Sequence, residues 1–419
     1  MDTQKFKSDV IWNFMSIIVL GVSGLGLNIL IGYVYDASAL GVFNQALAAY
    51  IVFSQLGTLG INLSALKLLP EELEDHLRSK DIVTSSLILV ALSGGLFTLL
   101  LWISAPLISR LMDSPDLEEA IKWIVPGLFF FCINKVYFAV LNGTHKMKAF
   151  SIFTSIRYGN LLIALFIAIF VKMPSARLSY VFSFSEGILF FLLFFYLRDY
   201  KTTKVNNLSI WLKRHLNFGY RSMMAGTLLD LNSRIDVLMI GYLLSDEQTG
   251  IYSFAAMFAE GVLQLLVVLQ NNYNPYISKF LYDGKHEELL NHFRNGRKMI
   301  YKYSAILAPI IIFCYPIGVE IVTNKDSFGD SVMPFAILIG GLFVASGYYP
   351  FHNILMLGLK PGIQTLFIFM MAGTNLLFNY LLIPIFGISG AAMGSAIALM
   401  SGNIYLILLS KKYLNIRLI

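Results

Sequence analysis

The sequence predicts an all-α polytopic membrane protein, with twelve transmembrane helices in two sets of six. Of its 419 residues, 57% are hydrophobic and only 13% are charged, and the mean hydropathy is +0.69. Soluble domains carry about 25% charged residues. A helix that crosses the bilayer core of about 30 Å needs roughly 20 apolar residues, and the chain contains twelve stretches of that kind. An internal repeat, described below, divides these stretches into two sets of six.

The twelve predicted spans leave only short connections, with no room for a soluble domain. The first span is too long for the apolar region of a secretory signal peptide, so we expect it to remain in the protein. In chain order, the predicted spans are residues 10–33, 40–66, 82–109, 119–141, 150–171, 179–197, 217–244, 249–271, 300–322, 331–357, 361–384 and 387–410.

The distribution of lysine and arginine predicts the orientation in the membrane. With the N-terminus placed in the cytoplasm, the inner connections hold 23 of the 31 basic residues, the outer connections hold 5, and 3 lie within spans. Cytoplasmic loops of membrane proteins carry an excess of basic residues. The bias therefore predicts a multi-pass membrane protein with both termini in the cytoplasm.

Two pairs of short segments indicate an internal duplication. Residues 31–43 read IGYVYDASALGVF and residues 240–252 read IGYLLSDEQTGIY, an offset of 209. Further along, Gly143 and Asn160 match Gly358 and Asn375 at an offset of 215. Six spans per half is an even number, so the repeats are parallel, and parallel repeats are typical of transporters that bind substrate between their halves.

The repeat divides the chain into three parts. We expect an N-terminal bundle over residues 1–200, a cytoplasmic linker with an interfacial amphipathic helix over 201–216, and a C-terminal bundle over 217–419.

No motif in the sequence indicates catalysis or a metal site. The two cysteines, Cys132 and Cys314, lie in different predicted spans and do not form a thiolate metal motif. There is no G-x-x-x-x-G-K-[ST] phosphate-binding loop. The glycine-rich segment from Gly387 to Gly394 is typical of small residues that allow close helix packing. Nucleic-acid binding is also not indicated, because the basic residues are spread over many loops and form no compact face.

Four cations in the inner half of the membrane are candidates for binding an anionic substrate. A charge at the bilayer centre costs roughly 2.5–3.5 kcal/mol on insertion scales, so it usually faces a cavity or a partner. Lys135 and Arg157 lie about two turns, roughly 10 Å, from the predicted cytoplasmic surface. Arg221 lies one turn inside it, and Arg234 lies near the middle of the seventh span. This arrangement predicts a cavity that opens to the cytoplasm and attracts an anion.

Each deep cation also has a structural interpretation. Lys135 and Arg157 could extend their charged groups to the inner surface. Arg234 could form an i, i+4 ion pair with Asp230 on one helix face. That pairing is compatible with binding, since Asp230 could hold the guanidinium in place for the bidentate recognition of phosphate oxygens.

Carboxylates and amides complete the set of candidate residues. Asp236, Glu186 and Glu260 could carry H⁺ or Na⁺, as acids do in secondary transporters, or could pair helices with neighbouring Asn and Ser. Amide side chains within spans could line an aqueous or sugar-facing wall or could form hydrogen bonds between helices. The amides taken as candidates for the cavity lining are Asn28, Gln55 and Gln264.

Several segments resemble the bacterial polysaccharide flippases. They are GVFNQALAAYIVFSQLGTLGINLSALK at 41–67, NGTHKMKAFSIF at 142–153, RIDVLMIGYLLSDEQTGIYSFAAMFAE at 234–260 and NYLLIPIFGISGAAMGSAIALM at 379–400. The family is the O-antigen and polysaccharide exporter branch of the multidrug/oligosaccharidyl-lipid/polysaccharide (MOP) superfamily. The likeness covers nearly the whole chain, although Tyr220 stands where the family often has proline.

The resemblance implies two six-helix bundles around a central cavity, in the bacterial cytoplasmic (inner) membrane. It also implies a flippase that moves an undecaprenyl-pyrophosphate-linked oligosaccharide to the outer leaflet by alternating access. Cations lining the cavity would receive the pyrophosphate. No cofactor is expected, although a Na⁺ or H⁺ gradient or the membrane potential could drive the step. The expected partners are the lipid-linked glycan, membrane lipids and other membrane proteins of glycan assembly, and the protein is expected to be a monomer.

A cation-coupled multidrug exporter of the same superfamily is the main alternative. Such an exporter should have acids dominating its cavity, whereas the deep charges of the inner half are mainly basic here. A peptidoglycan-precursor flippase would be expected to have two further spans after the twelfth. A membrane glycosyltransferase or polymerase would need catalytic acids or a large loop.

Overall fold

The computed structural model describes the backbone of residues 3–323 and 326–418. Within these ranges, it does not describe the side chains of residues 3–11, 13, 14, 17, 224–227, 229, 230, 326 and 327. The described chain is almost entirely α-helical and contains no strand, as the hydropathy pattern predicts. It divides into two compact units, one formed by Met1–Tyr35 and Val42–Asp230 and the other by Asp36–Gly41 and Leu231–Ile419.

Eight helices account for most of the first unit. They are α1 (Thr3–Val34), α2 (Ala37–Thr58), α3 (Ile61–Glu71), α4 (His76–Leu111), α5 (Pro115–Gly143), α6 (Met147–Phe170), α7 (Tyr180–Tyr196) and α8 (Leu208–Asn232). Helix α5 is central, because it packs against α3, α4 and α7. Its Leu128, Cys132 and Val136 are fully buried, so this helix forms the core of the unit.

Six helices account for most of the second unit. They are α9 (Ile235–Leu243), α10 (Asp246–Tyr282), α11 (His286–Thr323), α12 (Val332–Ser346), α13 (Ile354–Leu357) and α14 (Pro361–Leu414). Helix α14 contains the predicted spans eleven and twelve, which meet at Gly387 with φ 58° and ψ −138°. A Cβ on Gly394 would overlap the side chain of Asn379, so the two segments of α14 lie against each other. The glycine-rich segment therefore has the packing role predicted for it.

Nine helices within the described ranges are long and apolar enough to cross a membrane. They correspond to ten of the twelve predicted spans, since α14 contains two. The second and tenth predicted spans, 40–66 and 331–357, extend beyond the ends of their helices at Thr58 and Ser346. The predicted first span corresponds to α1, in which the described side chains form an apolar stretch over Ile18–Val34. The predicted seventh span, 217–244, is not one helix, because it is interrupted between α8 and α9 at Ser233 and Arg234.

The interruption of span seven has a local cause. At Arg234 the backbone leaves the helical region, with φ −121° and ψ −7°, and its N–H donates to the carbonyl of Leu231 three residues earlier. The residues before it, Asn232 and Ser233, belong to types that favour turns over helix interiors. Hydropathy does not detect such a break, because apolar residues continue on both sides.

The predicted linker helix is continuous with the membrane segment that follows it. Helix α8 begins at Leu208 and runs to Asn232, where the sequence predicts a separate interfacial helix ending near residue 216. Its His215 is fully buried, with Nδ1 2.9 Å from the Ser64 hydroxyl and Nε2 3.2 Å from the Ser85 hydroxyl. One turn later, Gly219 contacts Gly60 so closely that a Cβ on either would overlap the other segment's backbone. The start of α8 is therefore part of the first unit.

Candidate functional site

An ion pair between α6 and α7 lies at the centre of the candidate residues in the first unit. Arg157 Nε lies 2.5 Å from Glu186 Oε1, and the two side chains are only 18% and 1% exposed. The Asn134 amide donates to the second carboxylate oxygen of Glu186 at 2.9 Å and to its main-chain carbonyl at 3.0 Å. Two candidates that the sequence treats separately, a substrate-binding cation and an ion-coupling acid, therefore neutralise each other.

Lys135 shares an aromatic ring, that of Phe131, with this pair. Its Nζ donates to the Ser54 hydroxyl at 2.9 Å and lies 4.6 Å from the centre of the Phe131 ring. The Arg157 guanidinium lies 4.4 Å from the same ring. Cations are attracted to the faces of aromatic rings, so Phe131 binds both. Lys135 therefore points toward α2 within the unit, and its charge and that of Arg157 exceed the charge of Glu186 by one.

The other candidates of the first unit are dispersed. The Asn28 amide donates to the Gly24 carbonyl and accepts from Asn44 at 3.0 Å, which supports the interpretation of this residue as a hydrogen-bond link between helices. Gln55 is partly buried in α2, and Arg221 is exposed on α8. The side chain of Asp230 lies outside the described part of the chain, so its pairing with Arg234 stays a prediction.

Asp236 in the second unit accepts hydrogen bonds from four side chains. Its Oδ1 accepts from the amides of Asn375 at 3.0 Å and Asn379 at 2.6 Å. Its Oδ2 accepts from the Tyr252 hydroxyl at 2.7 Å and from the Ser395 hydroxyl. All four donors are neutral, and no described Lys or Arg nitrogen lies within ion-pairing distance of this carboxylate. The arrangement can hold a carboxylate in an apolar bundle without compensating its charge.

Sequence reasoning identified Asp236 but missed its donors. They come from α10 and from both segments of α14, which are far from Asp236 in the sequence. The one signal available was the repeat, since it marks Asn375 as the counterpart of Asn160.

Arg234 lies at the broken point of span seven, immediately before the first turn of α9. Its Nε is buried and has no described hydrogen-bond partner. The side chain interacts electrostatically with Glu260 on α10, although the two form no ion pair within 4 Å. Glu260 and Gln264 both have exposed side chains on α10. A guanidinium with a donor group available, next to a helix N-terminus, is suited to bind an anion.

No metal-binding group is apparent in the described residues. Among them, no three His, Cys, Asp or Glu side chains are placed to hold an ion together.

A family model and several solved structures resemble the chain. The model described as "Polysaccharide biosynthesis protein" matches residues 6–281. No curated protein sequence matches. An inward-facing multidrug resistance MATE family transporter of the MOP superfamily superimposes with a TM-score of 0.74 at 14% identity, covering 94% of this chain and 98% of that one.

Two further structures have the same fold. The lipid II flippase MurJ, in an inward closed conformation, gives a TM-score of 0.75 at 14% identity and covers 96% of this chain and 87% of that one. A MOP superfamily transporter from Pyrococcus furiosus gives 0.63 at 14% identity, with coverage of 98% and 96%. Likeness at this identity establishes the fold, and the family match covers more than half of the chain. The chain therefore belongs to the polysaccharide biosynthesis protein family and has the fold of the MOP superfamily, whose members are membrane transporters and flippases and not catalytic enzymes.

Proposed function

We propose that the protein is a flippase that moves undecaprenyl-pyrophosphate-linked oligosaccharide repeat units from the cytoplasmic to the outer leaflet of the bacterial inner membrane. The observation that carries the proposal is the interruption of span seven at Arg234. Discontinuous helices in transporters direct the positive ends of half-helices at anionic substrate groups. The Arg234 guanidinium with its buried Nε lies next to such an end, so the pyrophosphate is the part of the substrate that this position suits.

The other predicted cations have supporting roles in this proposal. Lys135 and Arg157, both held against Phe131, supply a net positive charge in the first unit. Arg221 is exposed one turn inside the predicted cytoplasmic surface. These three would attract the pyrophosphate as it enters from the cytoplasm. Arg234, which lies deepest in the membrane of the four cations, would bind it. Gln55 and Gln264 are the proposed polar lining for the glycan, whereas Asn28 has the role of a link between helices through Gly24 and Asn44.

Asp236 is the proposed coupling group. Its carboxylate accepts four hydrogen bonds from neutral donors and has no described basic partner. A negative charge in this setting is costly unless a cation compensates it. H⁺ or Na⁺ would supply that compensation, and its binding and release would then accompany the alternation of the transporter between its two states.

The central test is the substitution of Arg234 in cells that lack the native gene. We expect Arg234→Ala to abolish surface glycan while the protein stays in the membrane, and Arg234→Lys to restore export only in part, because an ammonium cannot replace the bidentate guanidinium. The matched control is Arg198→Ala, since the Arg198 side chain is 76% exposed. Immunoblots of the membrane fraction and staining of surface glycan give the two readouts. Unchanged glycan display with Ala at 234 would disprove the role of this cation.

The alternative, a cation-coupled multidrug exporter, is favoured by one observation. Both Asp236 and Glu260 are carboxylates in the membrane-spanning part of the second unit, and acids in a cavity attract cationic drugs. Efflux of ethidium distinguishes the two functions. An exporter would confer efflux that depends on Asp236 or Glu260, whereas the proposed flippase would leave ethidium accumulation unchanged.

A further inference from the structure

A cavity lies at the turn between α5 and α6, away from the candidate residues described above. It has a volume of about 490 Å³, and its walls include His145, Lys146, Lys148, Ile152, Phe153 and Tyr196. The turn is ordered, because the N–H groups of His145 and Lys146 donate to the carbonyls of Asn142 and Leu141 at the end of α5. The site is therefore a preformed depression.

The polar side of this cavity carries positive charge. Lys146 Nζ lies 4.7 Å from the centre of the Tyr200 ring and 5.3 Å from that of Tyr196, and Lys148 Nζ lies 5.1 Å from the Trp12 ring. No described carboxylate lies within ion-pairing distance of either ammonium. The rings position the two charges without neutralising them.

The start of α6 adds to this potential. The helix begins at Met147, and no side chain caps its first N–H groups. The positive end of the helix dipole therefore faces the same cavity as the two lysines. Together these groups favour an anion with several oxygen acceptors.

The opposite side of the cavity is apolar and reaches the surface of the unit at Tyr196. Ile152 and Phe153 line its inner part, where Ile152 is half-buried and Phe153 is buried. Tyr196 is 46% exposed, and its neighbour Phe195, which does not line the cavity, is 66% exposed. In a membrane-spanning chain, such exposed aromatic residues contact lipid. The turn belongs to a predicted cytoplasmic connection, which places the basic groups at headgroup level with acyl chains beside the apolar wall.

We propose that this cavity binds the phosphate headgroup of an anionic phospholipid in the cytoplasmic leaflet. The lysines and the α6 N-terminus would contact the phosphate oxygens, and Ile152, Phe153 and Tyr196 would contact the glycerol and the first part of the acyl chains. A free phosphate would use the polar side only. The apolar wall favours a lipid, and the uncompensated lysines favour a lipid with net negative charge. The inference does not depend on the transported substrate.

The test compares lipid binding by the detergent-solubilised full-length protein, using native mass spectrometry. We expect one saturable site for phosphatidylglycerol and much weaker retention of phosphatidylethanolamine. Each basic residue near an anionic surface contributes about 1 kcal/mol, so Lys146→Ala with Lys148→Ala should weaken phosphatidylglycerol binding roughly 30-fold. The double variant Lys146→Arg and Lys148→Arg should retain phosphatidylglycerol binding, because both positive charges remain.

The matched control is Lys411→Ala with Lys412→Ala. These exposed lysines lie in the last turn of α14, and Lys412 also lies over an aromatic ring, that of Tyr413. This control removes the same charge from the same predicted face and should change phosphatidylglycerol binding by less than about threefold. Equal retention of both phospholipids by the unmodified protein would overturn the proposal. So would binding that survives the Lys146 and Lys148 substitutions. Saturation by glycerol 3-phosphate at the affinity of the lipid would identify a site for small phosphates instead.

Discussion

Glu186 has a role at the residue scale that its position in the sequence does not reveal. Both of its carboxylate oxygens are engaged, one by Arg157 and the other by Asn134, in a place where its side chain is 1% exposed. A buried charge pair of this kind depends on both members, because the removal of one leaves the other uncompensated. The pair thus joins α6 to α7, and any part that Arg157 takes in substrate binding must be compatible with this link.

Substitution of the pair should show this dependence as instability. Arg157→Met or Glu186→Leu alone should destabilise the protein by about 3–5 kcal/mol, whereas the double variant should be closer to the unmodified protein, because two apolar side chains can pack without an orphan charge. Apparent unfolding temperatures in detergent provide the comparison. A double variant that is as unstable as the sum of the single variants would show that the two charges act independently.

Asp236 differs from Glu186 because its partners are neutral. Asp236→Asn removes the charge while keeping an oxygen and an NH₂ group near the same donors. We expect transport of a defined lipid-linked glycan in proteoliposomes to lose its dependence on an imposed H⁺ or Na⁺ gradient. The control is Glu320→Gln, which replaces an exposed carboxylate near the end of α11 with a carboxamide. A variant with Asn at 236 that still responds to the gradient would exclude Asp236 as the coupling group.

At the scale of elements, the start of α8 is fastened to the first unit by His215. The imidazole is fully buried and both nitrogens meet serine hydroxyls, Ser64 on α3 and Ser85 on α4. His215 lies outside the predicted spans, and burial lowers the pKa of its imidazole to about 4. Helix α8 continues from this contact to Asn232. The interruption at Ser233 and Arg234 is the first break in the helix after His215.

This histidine predicts a dependence of stability on pH. Its folded-state pKa of about 4 is below the ordinary histidine value of 6.5, so between these values the unfolded chain binds the proton and the folded protein does not. Stability should therefore fall as the pH decreases from 6.5 toward 4, by about 3 kcal/mol in total. The apparent unfolding temperature measured from pH 7.5 to 4.5 reports this loss. His215→Gln should be less stable at pH 7.5 and should lack this part of the pH dependence; an unchanged profile would contradict the assignment.

At the scale of the whole molecule, hydropathy predicted the approximate positions of the membrane segments but not their interruptions. Hydropathy reports whether a segment prefers lipid to water, and apolar residues continue through Arg234 and through the break after Thr58, where Leu59 and Gly60 have φ 47° and 68°. The two spans that meet at Gly387 were predicted as separate segments, with only residues 385 and 386 between them. Asp236 could be chosen from the sequence because a charge within an apolar span is conspicuous, whereas Tyr252 and Ser395 became its donors only through tertiary packing.

The predicted topology can be checked on the whole chain. A C-terminal fusion to green fluorescent protein should fluoresce, because this reporter folds in the cytoplasm, and a C-terminal alkaline phosphatase should be inactive. Phosphatase inserted after Asp113, between α4 and α5, should be active, since that connection is predicted to be outside. Activity of the C-terminal phosphatase fusion would show that the predicted orientation is wrong. The four candidate cations would then lie in the outer half of the membrane.

The contact between the first turns of α2 and α10 has a consequence for the predicted duplication. A Cβ on Gly41 would overlap the Asp246 carbonyl, and a Cβ on Gly250 would overlap the Ala37 carbonyl. At the repeat offset of 209, Gly41 corresponds to Gly250 and Ala37 to Asp246, so the predicted repeat assigns the same two positions to both close contacts. On that prediction, the duplication requires glycine at this position in both copies, because a Cβ in either copy would overlap a carbonyl of the other segment.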